Sequence, residues 1–519
     1  MKLNNKTLSL IFLLPVLLFY IAHFFHPKIN PNHVATGFVQ YDQPYYVINS
    51  LEYKKDSSSF PLTFALPYES QLPKDKIYFF PQIFAIGYLL KITSINPTFL
   101  FLLFGFVFGY LAILQVLKII DYLTTEFKIN KPILVKFLAI WGGGLLFLAG
   151  FFYSLFQHHF QLGMALKNSF IFDPGDGWWM LNVGRNFIYP MEAFYHFLVF
   201  STVLFILKKQ HIKAALLAGF TMLCHPFTGV IIAAATGSFF LLQYLKNKNK
   251  NTLISLCIVG VSGCWLIAYN FLILPQNASH KALMNQWTIN WSAPITTFLL
   301  AYTFVIVSAL LSLKNKWFTL KNEFGWFLLC WLITNVSLEN HQYFIKPHQP
   351  LHFSHGYVWF CLFLMGLPAL IHLTNNLKNM YLYAISMVFV ADNVTWFSLK
   401  SMGQLFHGGI YLTQDEYQTL QFLKQPNNAN FVVSENEKIA YFNLYYSNNS
   451  SYTSHVFNTP NIADKQKIIS QISQGDTTQL KKFPLHTWGV FDPNSKICSI
   501  LAKEKLIFRN NSYNVYYLH

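Results

Sequence analysis

Long apolar runs constrain this chain more than any other feature of its sequence. A helix that crosses a bilayer needs about 20 predominantly apolar residues. Runs of roughly that length lie at about 8–25, 97–117, 132–153, 190–207, 213–245, 252–274, 294–313, 323–339, 355–373 and 380–399. The run at 213–245 is too long for one span and contains His225-Pro226, where the proline breaks a helix, so it counts as two. The sequence therefore predicts an α-helical polytopic membrane protein with about 11 transmembrane helices.

The composition agrees with a membrane protein and excludes some other classes. The 519 residues are 53% hydrophobic and only 11% charged, whereas an ordinary soluble domain has about 25% charged residues. The formal net charge of +16 would suggest nucleic acid in a soluble chain. Here the lysines lie in short segments between apolar runs, where positive charge sets membrane orientation. We therefore expect no nucleic-acid partner. The six cysteines form no CxxC pair and predict no disulfide framework.

The lysine distribution predicts the orientation of the chain in a cell inner (plasma) membrane. The predicted cytosolic segments contain Lys2, Lys6, Lys118, Lys128, Lys131, Lys208, Lys209, Lys213, Lys246, Lys248, Lys250, Lys314, Lys316, Lys321 and Lys378. The short outer loops contain only Lys167, Arg185, Lys281 and Lys346. Because positive charge concentrates on the cytosolic side, we expect a cytosolic N-terminus and an extracytoplasmic C-terminus. The first run is expected to be an uncleaved anchor, and a signal peptide is the alternative.

A further apolar stretch, 77–92, is expected to lie along the outer surface as an interfacial helix. Counting it as a span would invert every later loop and place the lysine clusters outside. Its beginning, Tyr78-Phe79-Phe80-Pro81, has the aromatic character of a membrane interface. The predicted outer segments are then a large first loop at 26–96 and later segments at 154–189, 275–293 and 340–354.

The composition becomes polar after residue 400, which predicts two domains. Residues 1–400 form the transmembrane helical domain, and residues 401–519 form a small external α/β domain. Thr413-Gln414-Asp415-Glu416 has the spacing of a capping box and predicts a helix to about Gln425. Residues 430–434 predict a strand, and 506–509 with 513–518 predict a hairpin.

Asp42 is the first candidate for chemistry, because it stands early in the large first loop. If a helix follows, Asp42, Tyr45 or Tyr46, Asn49 and Tyr53 share one face at spacings of three and four residues. A carboxylate backed by aromatic rings at the membrane surface suits a general base. The alternative interpretation is an Asp that caps the N-terminus of that helix.

Arg185 is the only arginine in the predicted membrane domain. A guanidinium makes bidentate contacts with phosphate that lysine does not make, so Arg185 is a candidate for binding an oxyanion. The alternative is a salt bridge to Asp173, Asp176 or Glu192. Within the same loop, Asp173-Pro174-Gly175-Asp176 suits either a cation site or a plain turn.

Histidines and one lysine are the other polar candidates on the outer side. Lys346, His348 and His352 stand in a histidine-rich segment, and His158 and His159 stand in the second large loop. A lysine with several imidazoles suits a phosphate. Their spacing matches no metal motif, so we predict no metal site there, and interfacial histidines without a special role are the alternative.

Few ionisable residues lie inside the apolar runs. His225-Pro226 interrupts one run, and a broken helix in a bilayer faces protein or a cavity. Transport would need charged groups at the middle of the membrane. The candidates, Glu192, His196 and Asp392, stand near the ends of the runs.

This layout resembles the C-type (GT-C) polytopic membrane glycosyltransferases. Asp42 occupies the position of that superfamily's loop carboxylate, and 77–92 that of its interfacial helix. The tail, with Tyr452-Thr453-Ser454-His455 followed by Thr459-Pro460, resembles bacterial members. The chain departs from the pattern in having a single Asp instead of an Asp-Glu or Asp-Asp pair.

The resemblance implies a glycosyltransferase that moves a sugar from a polyprenyl-phosphate donor to a glycan, lipid or protein acceptor at the external membrane face, with inversion. Asp42 would be the general base. The residues expected to bind substrate are Arg185, Lys346, His348, His352, His158, His159, Tyr45 and Tyr46. We expect no cofactor, and dependence on a divalent cation stays open. A transporter or flippase for a lipid-linked glycan and a non-catalytic membrane assembly protein are the alternatives.

Overall fold

A computed structural model of the chain describes residues 3–55, 61–66, 75–125, 127–173, 175, 177–180, 182–287, 290–319, 322–401, 409–425, 430–501 and 505–518. Its α-helices are α1 (Asn5–Ile29), α2 (Gln43–Lys55), α3 (Pro81–Ile92), α4 (Pro97–Leu123), α5 (Pro132–Trp141), α6 (Leu146–Gln157), α7 (Leu162–Lys167), α8 (Val183–Asn186), α9 (Pro190–Leu207), α10 (His211–Cys224), α11 (Pro226–Asn247), α12 (Lys250–Ile267), α13 (Ala278–Gln286), α14 (Ile295–Lys314), α15 (Glu323–Glu339), α16 (Tyr357–Asn376), α17 (Asn379–Ser401), α18 (Gln414–Leu423), α19 (Glu437–Tyr446), α20 (Ile462–Ser473) and α21 (Lys496–Ile500). Its strands are β1 (His33–Ala35), β2 (Tyr411–Thr413), β3 (Phe431–Ser434), β4 (Ser450–Ser451), β5 (Thr487–Phe491), β6 (Leu506–Arg509) and β7 (Asn514–Tyr517).

The predicted helical membrane fold is confirmed, with fewer full-length spans than expected. Every predicted apolar run is helical. Among the described residues, eight helices are long and apolar enough to cross a membrane, namely α1, α4, α9, α11, α12 with its extension to Gln276, α14, α16 and α17. The pair α5 and α6, bent by 60°, is a ninth if it forms one span. The number predicted from sequence is higher because it includes α10, with 14 residues, and α15, with 17 residues.

The apolar stretch at 77–92 forms a short helix. The helix α3 begins at Pro81 and contains 12 residues, about 18 Å at a rise of 1.5 Å per residue. It is therefore too short to cross a hydrocarbon core of about 30 Å. This length agrees with the choice not to count 77–92 as a span.

The first compact unit contains residues 1–21, 102–268 and 289–408. Its helices α9 and α16 are apolar overall and mostly buried, as expected for helices surrounded by protein. Two interruptions shape this unit. The helix α10 ends before His225-Pro226, where α11 begins, and α5 ends before Gly142, where the chain turns into α6.

The second compact unit contains residues 22–101, 269–288 and 409–519. Its C-terminal part contains a five-stranded sheet in the order β4-β3-β5-β7-β6. The strand β3 is parallel to β4 and β5, and β7 is antiparallel to β5 and β6. The expected α/β domain, the capping box at Thr413 and Glu416, the strand at 430–434 and the final hairpin are confirmed.

The first loop belongs to the same compact unit as this sheet. Strand β1 pairs antiparallel with β2, with His33 opposite Thr413 and Ala35 opposite Tyr411. Helices α2 and α3 pack against each other, and α19 packs against α2. The domain boundary predicted at residue 400 stays a prediction. The structure adds that the first loop and the C-terminal part pair through these two strands.

Candidate functional site

Asp42 lies in a turn immediately before α2. Its Oδ1 is 2.7 Å from Nε2 of His455, and its Oδ2 accepts a hydrogen bond of 2.8 Å from the Gln40 side chain. The Asp42 backbone N–H in turn donates to Oε1 of Gln40 at 2.6 Å. The side chain of Asp42 remains 45% exposed. The carboxylate is thus held at both oxygens yet open to solvent, in a position that also suits capping of α2.

His455 is fixed in one tautomer by its other neighbours. Its Nδ1 accepts from the Phe457 backbone N–H at 3.2 Å and faces the Asn458 side-chain nitrogen at 3.1 Å. A backbone N–H is always a donor, so Nδ1 carries no proton here. The ring proton therefore lies on Nε2 and points at Asp42. With its side chain only 1% exposed, His455 is an almost fully buried donor to a half-exposed carboxylate.

Aromatic rings enclose His455. The ring centroids of Tyr41, Tyr45, Tyr441 and Phe457 lie 4.6, 5.7, 5.4 and 5.9 Å from that of the imidazole. Such packing restricts the rotation of the imidazole. Of the predicted α2 face, Tyr45 therefore lies beside His455, the residue that contacts Asp42.

The other members of the predicted α2 face have different surroundings. The ring of Tyr46 lies edge-on to Tyr45, with centroids 5.5 Å apart, and stacks near Phe101 at 6.4 Å. Asn49 is fully buried, and Tyr53 is 2% exposed. Tyr45 and Tyr46, which are half-buried, are the aromatic side chains of this face with surface left for a ligand.

Tyr41, next to Asp42, is tied to the C-terminal part of the chain. Its hydroxyl donates to the carboxylate of Glu437 and accepts from the Val456 backbone N–H at 3.0 Å. Tyr441 donates to the Tyr41 carbonyl at 3.0 Å. Burial, with the adjacent Glu437 carboxylate, raises the pKa of Tyr41 well above its usual value. Tyr41 is therefore a structural donor, and it fixes the backbone from which Asp42 projects.

Arg185 is buried in the first compact unit. The residue is 1% exposed, and Nη2 lies 3.1 Å from Oδ2 of Asp392. Nη1 donates to the Gly177 carbonyl at 3.0 Å. The salt bridge considered from sequence exists, but with Asp392 on α17 instead of Asp173 or Glu192, and Asp176 lies outside the described residues. Phosphate binding by Arg185 stays a prediction that requires Asp392 to be displaced.

Asp173 organises the loop that contains Arg185. Its two carboxylate oxygens accept from the backbone N–H groups of Trp179 and Met180 at 3.2 and 2.9 Å. Burial raises the pKa of Asp173 to about 7, although these bonds and Arg185 act in the opposite direction. These contacts agree with the turn interpretation of the segment that begins at Asp173. Pro174 and Asp176 of that segment lie outside the described residues.

The histidine-rich segment folds into short turns after α15. The backbone N–H of His348 donates to Nε2 of His341 at 2.8 Å, and Lys346 is exposed. Burial lowers the pKa of His348. The imidazole of His352 lies 4.6 Å from the ring of Phe227, and His348 lies 6.5 Å from that ring. The structure thus brings His348 and His352 to the same phenyl ring.

The remaining predicted residues lie elsewhere in the first unit. His158 follows α6, and its Nε2 lies 3.1 Å from the side-chain nitrogen of Asn168. His159 is exposed and has a φ of 49°. The transport candidate Glu192 is 3.3 Å from Nδ1 of His355. Among the described residues, no group of three or more His, Cys, Asp or Glu side chains has a geometry that could hold a metal ion.

Sequence reasoning assigned no role to His455, Gln40 or Glu437. The only signal for His455 was the segment Tyr452-Thr453-Ser454-His455, whose sequence resembles bacterial members of the GT-C superfamily. Nothing in that segment indicates its partner, because Asp42 is 413 positions away along the chain.

Solved structures with similar folds include an oligosaccharyltransferase of Archaeoglobus fulgidus and ArnT of Cupriavidus metallidurans. The apo oligosaccharyltransferase of Archaeoglobus fulgidus is 12% identical, with a TM-score of 0.50 over 93% of this chain and 69% of that one. The same protein tethered to an acceptor peptide has 12% identity and a TM-score of 0.47, over 94% and 70%. ArnT from Cupriavidus metallidurans in the apo state has 9% identity and a TM-score of 0.49, over 98% and 97%.

These likenesses concern the fold. No protein-family model matches the chain, and no curated protein sequence matches it. The match to the apo oligosaccharyltransferase confirms the expected resemblance to the GT-C architecture, as a polytopic helical membrane protein with a C-terminal sheet region. At this level of identity, function has to be argued from the site.

Proposed function

We propose that this protein is an inverting membrane glycosyltransferase. It transfers a sugar from a polyprenyl-phosphate donor to an acceptor hydroxyl at the external membrane face, with Asp42 as the general base. The observation that carries the proposal is the environment of the Asp42 carboxylate. Its carboxylate is oriented by His455 and Gln40 while its side chain stays 45% exposed, in a fold shared with an oligosaccharyltransferase.

The chemistry requires one oriented proton acceptor. The side chain of Asp42 is 45% exposed, so its carboxylate is accessible to an acceptor hydroxyl. In the proposed step the hydroxyl oxygen attacks the anomeric carbon and its proton passes to Asp42. The bond between that carbon and the phosphate oxygen breaks, and the lipid phosphate leaves with the electron pair. Attack opposite the leaving group inverts the anomeric centre.

Tyr45 and Tyr46 stand near the start of α2, which follows Asp42 directly, and are proposed to contact the acceptor. The donor phosphate is proposed to meet a cationic side chain. Contacts from Lys346, which is exposed, and from His348, His352, His158, His159 and Arg185 stay sequence predictions.

The proposal is tested by replacing the base. Purified protein in nanodiscs is incubated with radiolabelled polyprenyl-phosphate sugars and candidate acceptors. Asp42→Asn keeps the size of the side chain and one acceptor oxygen, but its NH2 group cannot accept from the second donor, and the basic carboxylate is lost. We expect transfer to fall about 10²- to 10⁴-fold, the usual contribution of a general base, with unchanged yield and melting temperature.

Glu52→Gln is the matched control, because Glu52 is another acidic residue of the first loop, on the helix that Asp42 precedes, and pairs only with a neighbouring lysine, Lys55, among the ion pairs of the described residues. It should retain transfer. Full activity of Asp42→Asn would contradict the assignment of the base. Movement of a lipid-linked glycan across proteoliposomes without covalent change would favour the transporter alternative instead.

A further inference from the structure

We propose that His455 is a positioning residue for Asp42, so that the C-terminal α/β domain completes the catalytic site. This inference rests on the proposed function and adds a second residue to it. The sequence assigns no role to His455, and the two residues meet only because the first loop and the C-terminal part fold as one compact unit.

The direction of the hydrogen bond supports an orienting role. Because Nδ1 of His455 accepts from the Phe457 backbone N–H at 3.2 Å, Nε2 is the donor to Oδ1 of Asp42 at 2.7 Å. A donor aimed at one carboxylate oxygen favours the ionised form of that carboxylate. It also holds the carboxylate in one orientation.

The same geometry distinguishes positioning from proton relay. A relay histidine takes a proton on one nitrogen and releases one from the other. Nδ1 of His455 faces the Phe457 backbone N–H and the side-chain nitrogen of Asn458, so a proton there would break both contacts. His455 therefore orients Asp42 and does not carry its proton away.

The turn at 454–459 holds His455 in place. The Thr459 hydroxyl donates to the His455 carbonyl at 2.9 Å and accepts from the Ser454 backbone N–H at 3.1 Å. From the segment at 269–288, Gln286 donates to the Thr459 carbonyl at 2.7 Å and Trp287 to the Phe457 carbonyl at 2.5 Å. These bonds fix the backbone from which the imidazole of His455 reaches Asp42.

The test compares two replacements of His455 in the full-length protein. His455→Phe keeps a ring among the surrounding aromatic side chains but has no donor. His455→Gln places an amide N–H close to the position of Nε2. We expect His455→Phe to lower kcat roughly 10- to 100-fold, the range typical of a lost orienting partner, with acceptor KM changed less than about twofold. His455→Gln should recover most of kcat.

The pH profile supplies a readout that packing alone would not change. Loss of the donor removes an interaction that favours the ionised carboxylate. The acidic limb of kcat should therefore move to higher pH in His455→Phe and return toward the wild-type position in His455→Gln. His486→Asn, at an exposed histidine of the same domain, is the control and should leave kcat and the profile unchanged.

The outcomes separate this inference from the proposed function. Wild-type kcat and profile in a folded His455→Phe protein would overturn the inference while leaving Asp42 as the base. Equal losses in the Phe and Gln variants, in proportion to the folded fraction, would also overturn it. If His455→Phe fails to fold, His455→Asn, whose shorter amide falls short of Asp42, is expected to show the same loss. Absence of transfer by the wild-type protein would instead refute the proposed function, and the inference with it.

Discussion

Asp42 and Arg185, the two charged residues singled out first by sequence, have opposite environments. The side chain of Asp42 is 45% exposed and is held by neutral donors, as a base that must meet substrate requires. Arg185 is 1% exposed and is neutralised by Asp392. A buried ion pair is costly to form but costlier to break, so the structure assigns Arg185 first to the stability of the helical unit.

The Arg185–Asp392 pair predicts a pattern of stability in a mutant cycle. Arg185→Met or Asp392→Leu alone leaves one buried charge without its partner, and we expect each to destabilise the protein by about 3–5 kcal/mol. The double variant should recover much of that loss, since it removes both charges. Apparent melting temperatures in detergent, followed by tryptophan fluorescence, measure the effect.

Lys281→Met, at an exposed position, is the control for this cycle and should melt like wild type. A stable Arg185→Met variant with a raised donor KM would contradict the structural assignment. It would support the sequence prediction that Arg185 binds phosphate.

At the scale of elements, two helix interruptions arise from different residues. The break between α10 and α11 follows from Pro226, and the His225 side chain caps α11 by accepting from the Thr228 backbone N–H. The bend between α5 and α6 falls at Gly142-Gly143-Gly144, where the backbone approaches α17 closely. The Gly143 backbone N–H donates to the Phe389 carbonyl at 2.6 Å, which replaces bonds that the interrupted helix lacks.

This bend predicts a strong effect of a single methyl group. A Cβ added at Gly143 would lie 2.8 Å from Oδ2 and 2.9 Å from Cβ of Asp392, so α17 would have to shift and the bond to Arg185 would be strained. We expect Gly143→Ala to destabilise the protein by about 1–3 kcal/mol, as overpacking does. The melting temperature and the yield of folded protein measure this loss.

Gly163→Ala is the matched control, because nothing lies within 4 Å of a Cβ added there on α7. It should leave stability unchanged or slightly higher, since alanine favours helix over glycine. Equal melting temperatures for the two alanine variants would refute the close-contact explanation of the bend.

At the scale of the whole molecule, the second compact unit combines distant parts of the chain. Residues 22–101, 269–288 and 409–519 form it, and strand β1 of the first loop pairs with β2 of the C-terminal part. These parts contain the predicted outer loop 26–96, much of the predicted outer segment 275–293 and most of the predicted external domain. The orientation itself rests on the distribution of lysine.

The orientation is tested with a reporter that is active only outside the cytosol. Alkaline phosphatase fused after the last residue should be active, because the C-terminal domain is predicted to be extracytoplasmic. The same enzyme inserted at Asn315, between Lys314 and Lys316, should be inactive. The reversed pattern would show that the N-terminus is external and would refute a site facing outward.

The sequence by itself determined the membrane fold, the decision not to count 77–92 as a span, and three features of the C-terminal domain: its first helix, the strand at 430–434 and the final hairpin. These depend on local properties, such as apolar length, the break at His225-Pro226 and the capping box at Thr413, and local properties can be interpreted one segment at a time. The importance of Asp42 followed from its position in the first loop and the resemblance to a known architecture.

The side chains that contact Asp42 and Arg185 were decided only by the tertiary structure. His455 reaches Asp42 across 413 positions, and Asp392 reaches Arg185 across 207. Neither pairing leaves a periodic pattern in the sequence, because each depends on how separate elements pack. The lengths of α10 and α15, 14 and 17 residues, also became known only from the structure. Hydrophobicity determines which segments are buried, and packing determines which side chains meet.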